Sequence, residues 1–209
     1  MSSAGLFAWL QDAAFYRQFH AEAVALMGQG AGRSWLDVGT GPGILARLAA
    51  GHGYRARGID RDAAMIEAAL RLAHERGSDA AFAASDLETE LGDGRRYDVV
   101  SASSFVVVTP DPDQTLDRLN DLVAPGGRLL IIEASPEMTR LRALRLLAGG
   151  RLGKRGYMLL PWAMARSGRT LDESLMKKIN PLAVCHRLIH SMVNAWILEA
   201  RPPTLSSMT

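Results

Sequence analysis

The feature that most constrains this chain is a glycine-rich segment that follows a short apolar run. Residues 36–43 read Leu-Asp-Val-Gly-Thr-Gly-Pro-Gly, and a second acid, Asp60, follows the next apolar run. Because they lack a Cβ, Gly39, Gly41 and Gly43 let the backbone turn sharply and approach a ligand. A carboxylate after the second strand can accept hydrogen bonds from ribose hydroxyls. The segment therefore predicts a strand–turn–helix unit that binds an adenosine-containing cofactor.

The acid inside this motif, Asp37, narrows the chemistry of the cofactor. A carboxylate next to a pyrophosphate would be repelled, whereas it would attract an ammonium or a sulfonium group. Asp37 therefore favours S-adenosylmethionine as the cofactor over NAD.

Length and composition predict one soluble domain that covers residues 1–209. A chain with 48% hydrophobic residues can bury a substantial core. The single cysteine excludes an intramolecular disulfide and a multi-cysteine zinc site, and the histidines lack ligand spacing, so no metal site is predicted. Residues 1–19 lack the features of a signal peptide, and no apolar run approaches the roughly 20 residues of a membrane span. We expect a cytoplasmic protein without membrane insertion.

Charge is distributed unevenly along the chain. From residue 137 onward there are 12 Lys and Arg against 4 Asp and Glu, which gives +8, and the other 12 basic and 18 acidic residues give −6. A basic C-terminal third could attract an acidic substrate, a nucleic acid or a membrane surface. The basic residues are scattered, and only Tyr157, Trp162 and Trp196 could stack on bases, which favours a solvated helical surface and makes nucleic acid an unlikely partner.

Apolar runs and helical patterns alternate along the chain. Strands are predicted at residues 34–38, 54–59, 80–84, 97–103, 128–134, 183–189 and 193–200. Helices are predicted at residues 44–50, 63–76, 114–123, 140–147 and 171–178, with one or two more before the first strand and an irregular segment at 149–169. Such alternation implies a parallel sheet with right-handed crossovers, whose ligands bind at the carboxyl ends of the strands.

Four motifs in this order, followed by a closing hairpin, resemble the class I S-adenosylmethionine-dependent methyltransferases. The motifs are LDVGTGPG at 36–43, GIDRD at 58–62, ASDLE at 84–88 and APGGRLLIIEAS at 124–135, and the hairpin ends in VNAWILEARP at 193–202. The resemblance implies a Rossmann-like methyltransferase fold, which is a doubly wound α/β fold. Its seven-stranded, mostly parallel sheet has an antiparallel C-terminal hairpin.

The same resemblance implies which residues contact the methionyl part of the cofactor. Gly39, Thr40 and Gly41 are expected to pack against it, and Ser103, at the end of strand four, is expected to lie beneath it. Asp37 is expected to face the ammonium group, directly or through water.

For the adenosine part, the resemblance implies that Asp60 binds the ribose hydroxyls while Arg61 and Met65 lie along the adenine. Asp86 is expected to accept from the adenine amino group, and the backbone N–H of Leu87 to donate to a ring nitrogen. A plain loop role for Asp86 and a plain core role for Met65 remain open.

The candidate catalytic residue is His190. Methyl transfer needs a general base only when the acceptor must lose a proton. The family topology places the turn after strand six at the carboxyl ends of the strands, so His190 is expected above the pocket, although a solvated turn residue is the alternative. Tyr16 and His20 are expected to cover the cofactor or touch substrate, and Glu133 to orient an amine.

Two segments are predicted to enclose the substrate: an N-terminal helical cap, residues 1–33, and a lid-like insertion between strands five and six, residues 136–182. Tyr157 and Trp162 make the insertion aromatic, which favours a hydrophobic acceptor. Phe105 stands where the family's amino-methylating members carry an asparagine–proline-aromatic signature. The absence of this signature argues against DNA and protein glutamine as substrates. The arginines of the insertion could meet a carboxylate or phosphate: Arg151, Arg155, Arg166 and Arg169.

These observations favour a methyltransferase of a small, hydrophobic or aromatic metabolite, of the kind found in secondary metabolism, acting at oxygen, nitrogen or carbon. One alternative is an RNA methyltransferase that uses the basic C-terminal third. Another is a cofactor-binding subunit without turnover, and an NAD-binding domain is the remaining rival. The sequence leaves a homodimer open.

Overall fold

We describe the fold from a computed structural model, which covers residues 9–11, 13–150, 152–166, 168–171 and 173–200. Seven strands form the sheet: β1 (Ser34–Val38), β2 (Arg55–Asp60), β3 (Ala81–Ala84), β4 (Tyr97–Ser103), β5 (Val123–Ala134), β6 (Val184–Leu188) and β7 (Val193–Glu199). The helices are α1 (Ala14–Leu26), α2 (Ile44–Gly51), α3 (Ala63–Glu75), α4 (Leu87–Gly92), α5 (Pro112–Asp121), α6 (Arg140–Ala148), α7 (Leu159–Arg166) and α8 (Glu173–Ile179). Two single-turn 3₁₀ helices cover Val106–Val108 and Gly156–Met158.

The strand order confirms the predicted fold class. The sheet runs β3-β2-β1-β4-β5-β7-β6, and the pairs among β1 to β5 are all parallel. β7 pairs antiparallel with β5, from Arg128 opposite Glu199 to Ala134 opposite Val193, and with β6. The order reverses between β1 and β4, which is where ligands bind in open α/β sheets.

Two apolar layers enclose the sheet, and β5 contributes to both. Leu130 and Ile132 pack in the layer that contains α1, α2 and α7, whereas Leu129 and Ile131 pack in the layer that contains α5 and α8. Side chains alternate between the faces of a strand, so a strand covered on both faces is continuously apolar. This explains the unbroken apolar run that predicted β5.

The structure corrects the predicted start of one helix and adds a helix that was not predicted. α5 begins at Pro112, two residues before the prediction, because Asp111 accepts a hydrogen bond from the backbone N–H of Gln114 and proline suits the first turn. The segment 149–169, predicted as irregular, contains α7. Its Pro161 lies in the first turn, where a missing N–H breaks no intrahelical hydrogen bond.

The two predicted enclosing segments are described in part. α1 lies within the predicted cap, residues 1–33, whose first eight residues are outside the described residues. The insertion at 136–182 contains α6, α7 and α8. Its Arg151 is also outside the described residues. None of the helices in the described part of the chain is long and apolar enough to cross a membrane.

Candidate functional site

A cavity of about 700 Å³ opens at the carboxyl ends of β1, β2 and β4. Pockets for small molecules measure about 300–1,000 Å³, so this cavity is large enough for a cofactor and a small acceptor. Its cofactor half comprises lining residues from three loops, within residues 37–42, 60–65 and 85–88. Its acceptor half includes Gln11, Tyr16, His20, Ile44, Leu45, Phe105 and Arg166, with Ser103 between the two halves.

All ten residues predicted to contact the cofactor line this cavity. They are Asp37, Gly39, Thr40, Gly41, Asp60, Arg61, Met65, Asp86, Leu87 and Ser103. The same cavity is lined by Tyr16, His20 and Phe105, three of the predicted substrate residues.

The glycine loop between β1 and α2 takes a backbone conformation that other residues rarely adopt. Gly39 has φ +66° and Gly41 has φ +52°, both in the left-handed region. A Cβ at Gly39 would lie 2.4 Å from Cδ2 of Phe105, whereas one at Gly41 would meet no heavy atom within 4 Å. Gly41 therefore leaves open space over the loop, as a cofactor cradle requires.

Asp60 ties this loop to the end of β2. Its Oδ2 accepts a hydrogen bond from the backbone N–H of Gly41 at 2.9 Å, and its Oδ1 accepts from the backbone N–H of Asp62 at 3.0 Å. Because an ionised carboxylate has about four acceptor sites, two remain for the hydroxyls of a ribose. The position and the chemistry of Asp60 both fit an adenosine.

Asp37 places a buried negative charge beside the loop. The side chain is 2% exposed, and it accepts hydrogen bonds from Thr40 Oγ1 at 2.6 Å and from Ser101 Oγ at 2.8 Å. The indole N–H of Trp35 donates to Ser101 Oγ at 2.8 Å, which orients that hydroxyl. Burial raises the pKa of Asp37 to about 6, because water no longer stabilises the charge. A cation bound nearby, such as an ammonium group, would stabilise the charge of this carboxylate.

At the adenosine end of the cavity, Asp86 both lines the cavity and caps a helix. Its Oδ1 caps α4 by accepting from the backbone N–H of Thr89 at 2.9 Å and from Thr89 Oγ1 at 2.7 Å. These hydrogen bonds lower the pKa of Asp86, so it is a carboxylate acceptor at neutral pH. Asp62 caps α3 by accepting a hydrogen bond from the backbone N–H of Ala64 at 2.9 Å.

In the acceptor half, His20 is neutral and both ring nitrogens are hydrogen-bonded. Nδ1 lies 2.8 Å from the carbonyl oxygen of Tyr16, which can only accept, so Nδ1 carries the proton. Nε2 is then the acceptor for the hydroxyl of Ser103, at 2.9 Å. Burial lowers the pKa of His20 to about 4, because the charged form would lose its hydration.

An aromatic cluster supports this half of the cavity. The ring of Trp162 packs edge-on against Tyr16, with centroids 5.5 Å apart, and is stacked on Phe19 at 5.5 Å. Trp162 does not line the cavity, so the structure corrects the prediction that it contacts substrate: it holds Tyr16 in place. Tyr157 is 56% exposed and packs against Trp9, so it also lies away from the cavity.

Glu133 faces the loop after β4 and does not line the cavity. Its Oε1 accepts hydrogen bonds from the backbone N–H groups of Val106, at 2.9 Å, and Val107, at 3.3 Å. The side chain is 1% exposed, and burial raises its pKa to about 7. Instead of orienting an amine, as the sequence predicted, Glu133 fixes the segment that carries Phe105 and Val108 into the cavity wall.

The structure corrects the placement of His190. The β6–β7 turn lies at the predicted edge of the sheet, but residues 189–191 all have positive φ, and the His190 side chain lines a separate hollow beside α6. Residues that share this hollow include Glu137 and Arg142. His190 therefore does not line the cavity that holds the other candidate residues.

Several lining residues were not predicted as site residues. They include Gln11, Asp111, Gln114, Thr115 and Arg118, whereas Arg166 is one of the four arginines expected to meet a carboxylate or phosphate. A local signal for Asp111, Gln114 and their neighbours is the Asp-Pro pair at 111–112, which marks the start of a helix after the loop that follows β4. Within the described residues, no group of three or more His, Cys, Asp or Glu side chains could hold a metal.

The fold and the cavity together define a Rossmann-like methyltransferase. A family model described as a methyltransferase domain matches residues 9–172, and the chain belongs to this family. The glycine loop, Asp37 and Asp60 fit S-adenosylmethionine, the cofactor that the sequence predicts.

Curated relatives match part of the chain. A ubiquinone biosynthesis O-methyltransferase of Coxiella burnetii is 30% identical over 98 residues, which are 47% of this chain and 42% of the relative. The corresponding protein of Serratia proteamaculans is 35% identical over 95 residues, 45% of this chain and 39% of the relative. The matched region thus spans less than half the length of these relatives.

Solved structures share the fold over most of the chain. The plantazolicin methyltransferase in complex with S-adenosylhomocysteine has a TM-score of 0.67 at 16% identity and covers 95% of this chain and 89% of its own. The magnesium protoporphyrin IX methyltransferase of Synechocystis PCC 6803, with bound S-adenosylhomocysteine, has a TM-score of 0.64 at 20% identity, with 96% and 95% covered. At these identities the likeness concerns the fold alone.

Proposed function

We propose that this enzyme transfers the methyl group of S-adenosylmethionine to a small, apolar or aromatic acceptor. The observation that carries the proposal is that one cavity of about 700 Å³ joins the cofactor half to the acceptor half through Ser103. The names of the ubiquinone biosynthesis relatives and of the plantazolicin and magnesium protoporphyrin structures support a non-macromolecular acceptor.

The residues of the cofactor half bind and orient S-adenosylmethionine. Asp60 accepts from the ribose hydroxyls, Asp37 stabilises the ammonium group, and the open space over Gly41 admits the ligand. When bound, the cofactor supplies a methyl group that is already activated by its sulfonium. The chain therefore needs to hold the acceptor close and in line, and such positioning contributes about 7–11 kcal/mol in favourable intramolecular reactions.

The residues of the acceptor half exclude water. Tyr16 and Phe105 give this half apolar walls, and Ile44 and Leu45 add aliphatic surface from α2. Arg166, at the end of α7, brings the insertion to the cavity. We propose that residues 136–182 act as a lid and residues 1–33 as a cap over the acceptor.

Burial of two tryptophans argues against the RNA alternative. Trp162 is 6% exposed and Trp196 is 2% exposed, so neither offers a face on which a base could stack. Only Tyr157 of the three aromatic candidates is exposed. The basic C-terminal third then supplies scattered charge without the stacking surface that single-stranded RNA requires.

The test is a transfer assay with S-adenosylmethionine labelled in its methyl group. The purified protein is incubated separately with a low-molecular-mass metabolite extract and with total RNA, at low and high salt. The proposal predicts label in the metabolite fraction at both salt concentrations. Label in RNA that is lost at high salt would establish the RNA alternative. Label in neither fraction, with intact S-adenosylhomocysteine binding, would establish the non-catalytic alternative.

A further inference from the structure

Arg166 places a cation that has no partner among the described residues in the wall of the acceptor half. It ends α7, it is half-buried, and it lines the cavity. Its Nη1 is buried and has no hydrogen-bond partner in the described part of the chain. A buried guanidinium without partners is costly, and its planar donors match a carboxylate.

Glu133, a buried carboxylate on which Arg166 acts electrostatically, does not pair with it. Arg166 acts electrostatically on Glu133, yet no ion pair within 4.0 Å among the described residues joins them, and Glu133 Oε2 is also without a hydrogen bond. Glu133 uses Oε1 to hold the loop after β4. The donors of Arg166 are therefore left for a ligand in the cavity.

Among the described residues of the acceptor half, no side chain is ready to take a proton. His20 has both ring nitrogens engaged, and burial lowers its pKa to about 4. Burial also raises the pKa of Tyr16 to about 12, so its phenol keeps its proton. In the neighbouring cofactor half, the carboxylate of Asp37 already accepts hydrogen bonds from Thr40 and Ser101. A phenol, an alcohol or an ammonium acceptor would need such a base.

We propose that the acceptor is an apolar carboxylic acid, bound as its carboxylate by Arg166, and that the product is its methyl ester. This inference rests on the proposed methyl transfer and names its substrate class. One carboxylate oxygen attacks the methyl carbon, the carbon–sulfur bond breaks, and its electron pair stays on sulfur to give S-adenosylhomocysteine. No proton moves, so the reaction needs no general base in the acceptor half.

The first test measures the binding of matched acids and alcohols to the protein saturated with S-adenosylhomocysteine. The probes are benzoate, phenylacetate and decanoate, each against its alcohol (benzyl alcohol, phenylethanol and decanol), at neutral pH. At least one acid should bind about tenfold more tightly than its alcohol, and Arg166→Gln should remove that preference. Arg169→Gln, an exposed arginine of the same segment, should retain it.

Two outcomes would overturn the proposal. Acids that bind no better than their alcohols would mean that the cavity does not select a carboxylate. Acid affinity that survives Arg166→Gln would mean that Arg166 only balances the charge of Glu133. Affinity for S-adenosylhomocysteine is measured for each variant, so a failure of the cofactor site is recognised separately.

The second test identifies the bond that is formed. In the metabolite assay with labelled S-adenosylmethionine, a methyl ester releases its label as volatile methanol on mild alkaline hydrolysis, whereas a methyl ether or a methylamine does not. Label that is released by alkali supports the proposal. Alkali-stable label would refute the carboxylate acceptor while it confirms methyl transfer.

Discussion

The two halves of the cavity are built in different ways. The cofactor half comes from loops that directly follow β1, β2 and β3, and backbone hydrogen bonds such as that from Gly41 to Asp60 hold it. The acceptor half joins α1 to the distant α7, and packed rings such as Trp162 on Phe19 hold it. We therefore expect substitutions in the cofactor half to change binding, and substitutions around the acceptor half to change stability and selectivity.

The largest expected effect concerns the ring cluster behind the acceptor half. Trp162→Ala should lower the free energy of unfolding by about 3–5 kcal/mol, since it removes a buried indole and leaves a cavity between α1 and α7. Urea unfolding measures this change. Tyr157→Ala, at an exposed ring of the same insertion, is the control and should cost less than about 1 kcal/mol. Equal losses of unfolding free energy in the two variants would contradict the view that Trp162 supports the acceptor half while Tyr157 is only a surface residue.

The second effect is a pH dependence that arises at Glu133. Because burial raises its pKa from 4.5 to about 7, the folded state keeps a proton that the unfolded chain releases. The wild-type free energy of unfolding should therefore fall as the pH rises from about 4.5 through 7.

Glu133→Gln removes this titration and keeps an oxygen for the N–H groups of Val106 and Val107. Relative to wild type, we expect the variant to gain on the order of 2–3 kcal/mol in stability from about pH 5 to about pH 8. Urea unfolding at both pH values measures it. Glu75→Gln, on the exposed surface of α3, should retain the wild-type profile. A parallel pH dependence of wild type and Glu133→Gln would contradict a buried, proton-binding Glu133.

The third effect is confined to the cofactor half. Asp60→Ala should weaken S-adenosylhomocysteine binding by about 2 kcal/mol, since it removes charge-assisted hydrogen bonds to two hydroxyls. It also releases the N–H of Gly41, so unfolding is measured beside calorimetric titration. Asp60→Asn, which keeps one acceptor oxygen, should lose less affinity. Unchanged affinity in Asp60→Ala would remove Asp60 from the cofactor site.

The smallest effect is expected at His190, which the sequence proposed as a general base. Its side chain lines the hollow beside α6 and not the cavity, so His190→Asn should leave turnover within about twofold of wild type. Asparagine tolerates the positive φ of this position, which keeps the turn intact. A tenfold or larger loss of turnover, with cofactor affinity unchanged, would restore His190 as a participant in the reaction.

The sequence predicted the fold and the lining of the cofactor half, because their determinants are local. Asp37, Gly41 and Asp60 belong to strand ends and turns whose backbone chemistry is read from neighbouring residues. All ten predicted cofactor residues line the cavity, and their individual contacts with the cofactor remain predictions.

The acceptor half was harder to predict because long-range packing forms it. Glycines flank α7 and Pro161 lies within it, so the segment had no uninterrupted helical pattern, and the sequence could not single out Arg166 among the four arginines of the insertion. The turn at His190 was correctly predicted at the carboxyl ends of the parallel strands. Residues 189–191 of this turn have positive φ values, and the His190 side chain lines the hollow beside α6. Glu133 was located correctly at the end of β5, while its loop partners depend on the fold of residues 106–107.

The most direct test of the account is calorimetric titration of the purified protein with S-adenosylhomocysteine, with NADH as the control. The account predicts binding of S-adenosylhomocysteine in the micromolar range and no binding of NADH, because Asp37 favours an ammonium group and repels a pyrophosphate. Absence of S-adenosylhomocysteine binding, or binding of NADH in its place, would contradict the assignment of the cavity.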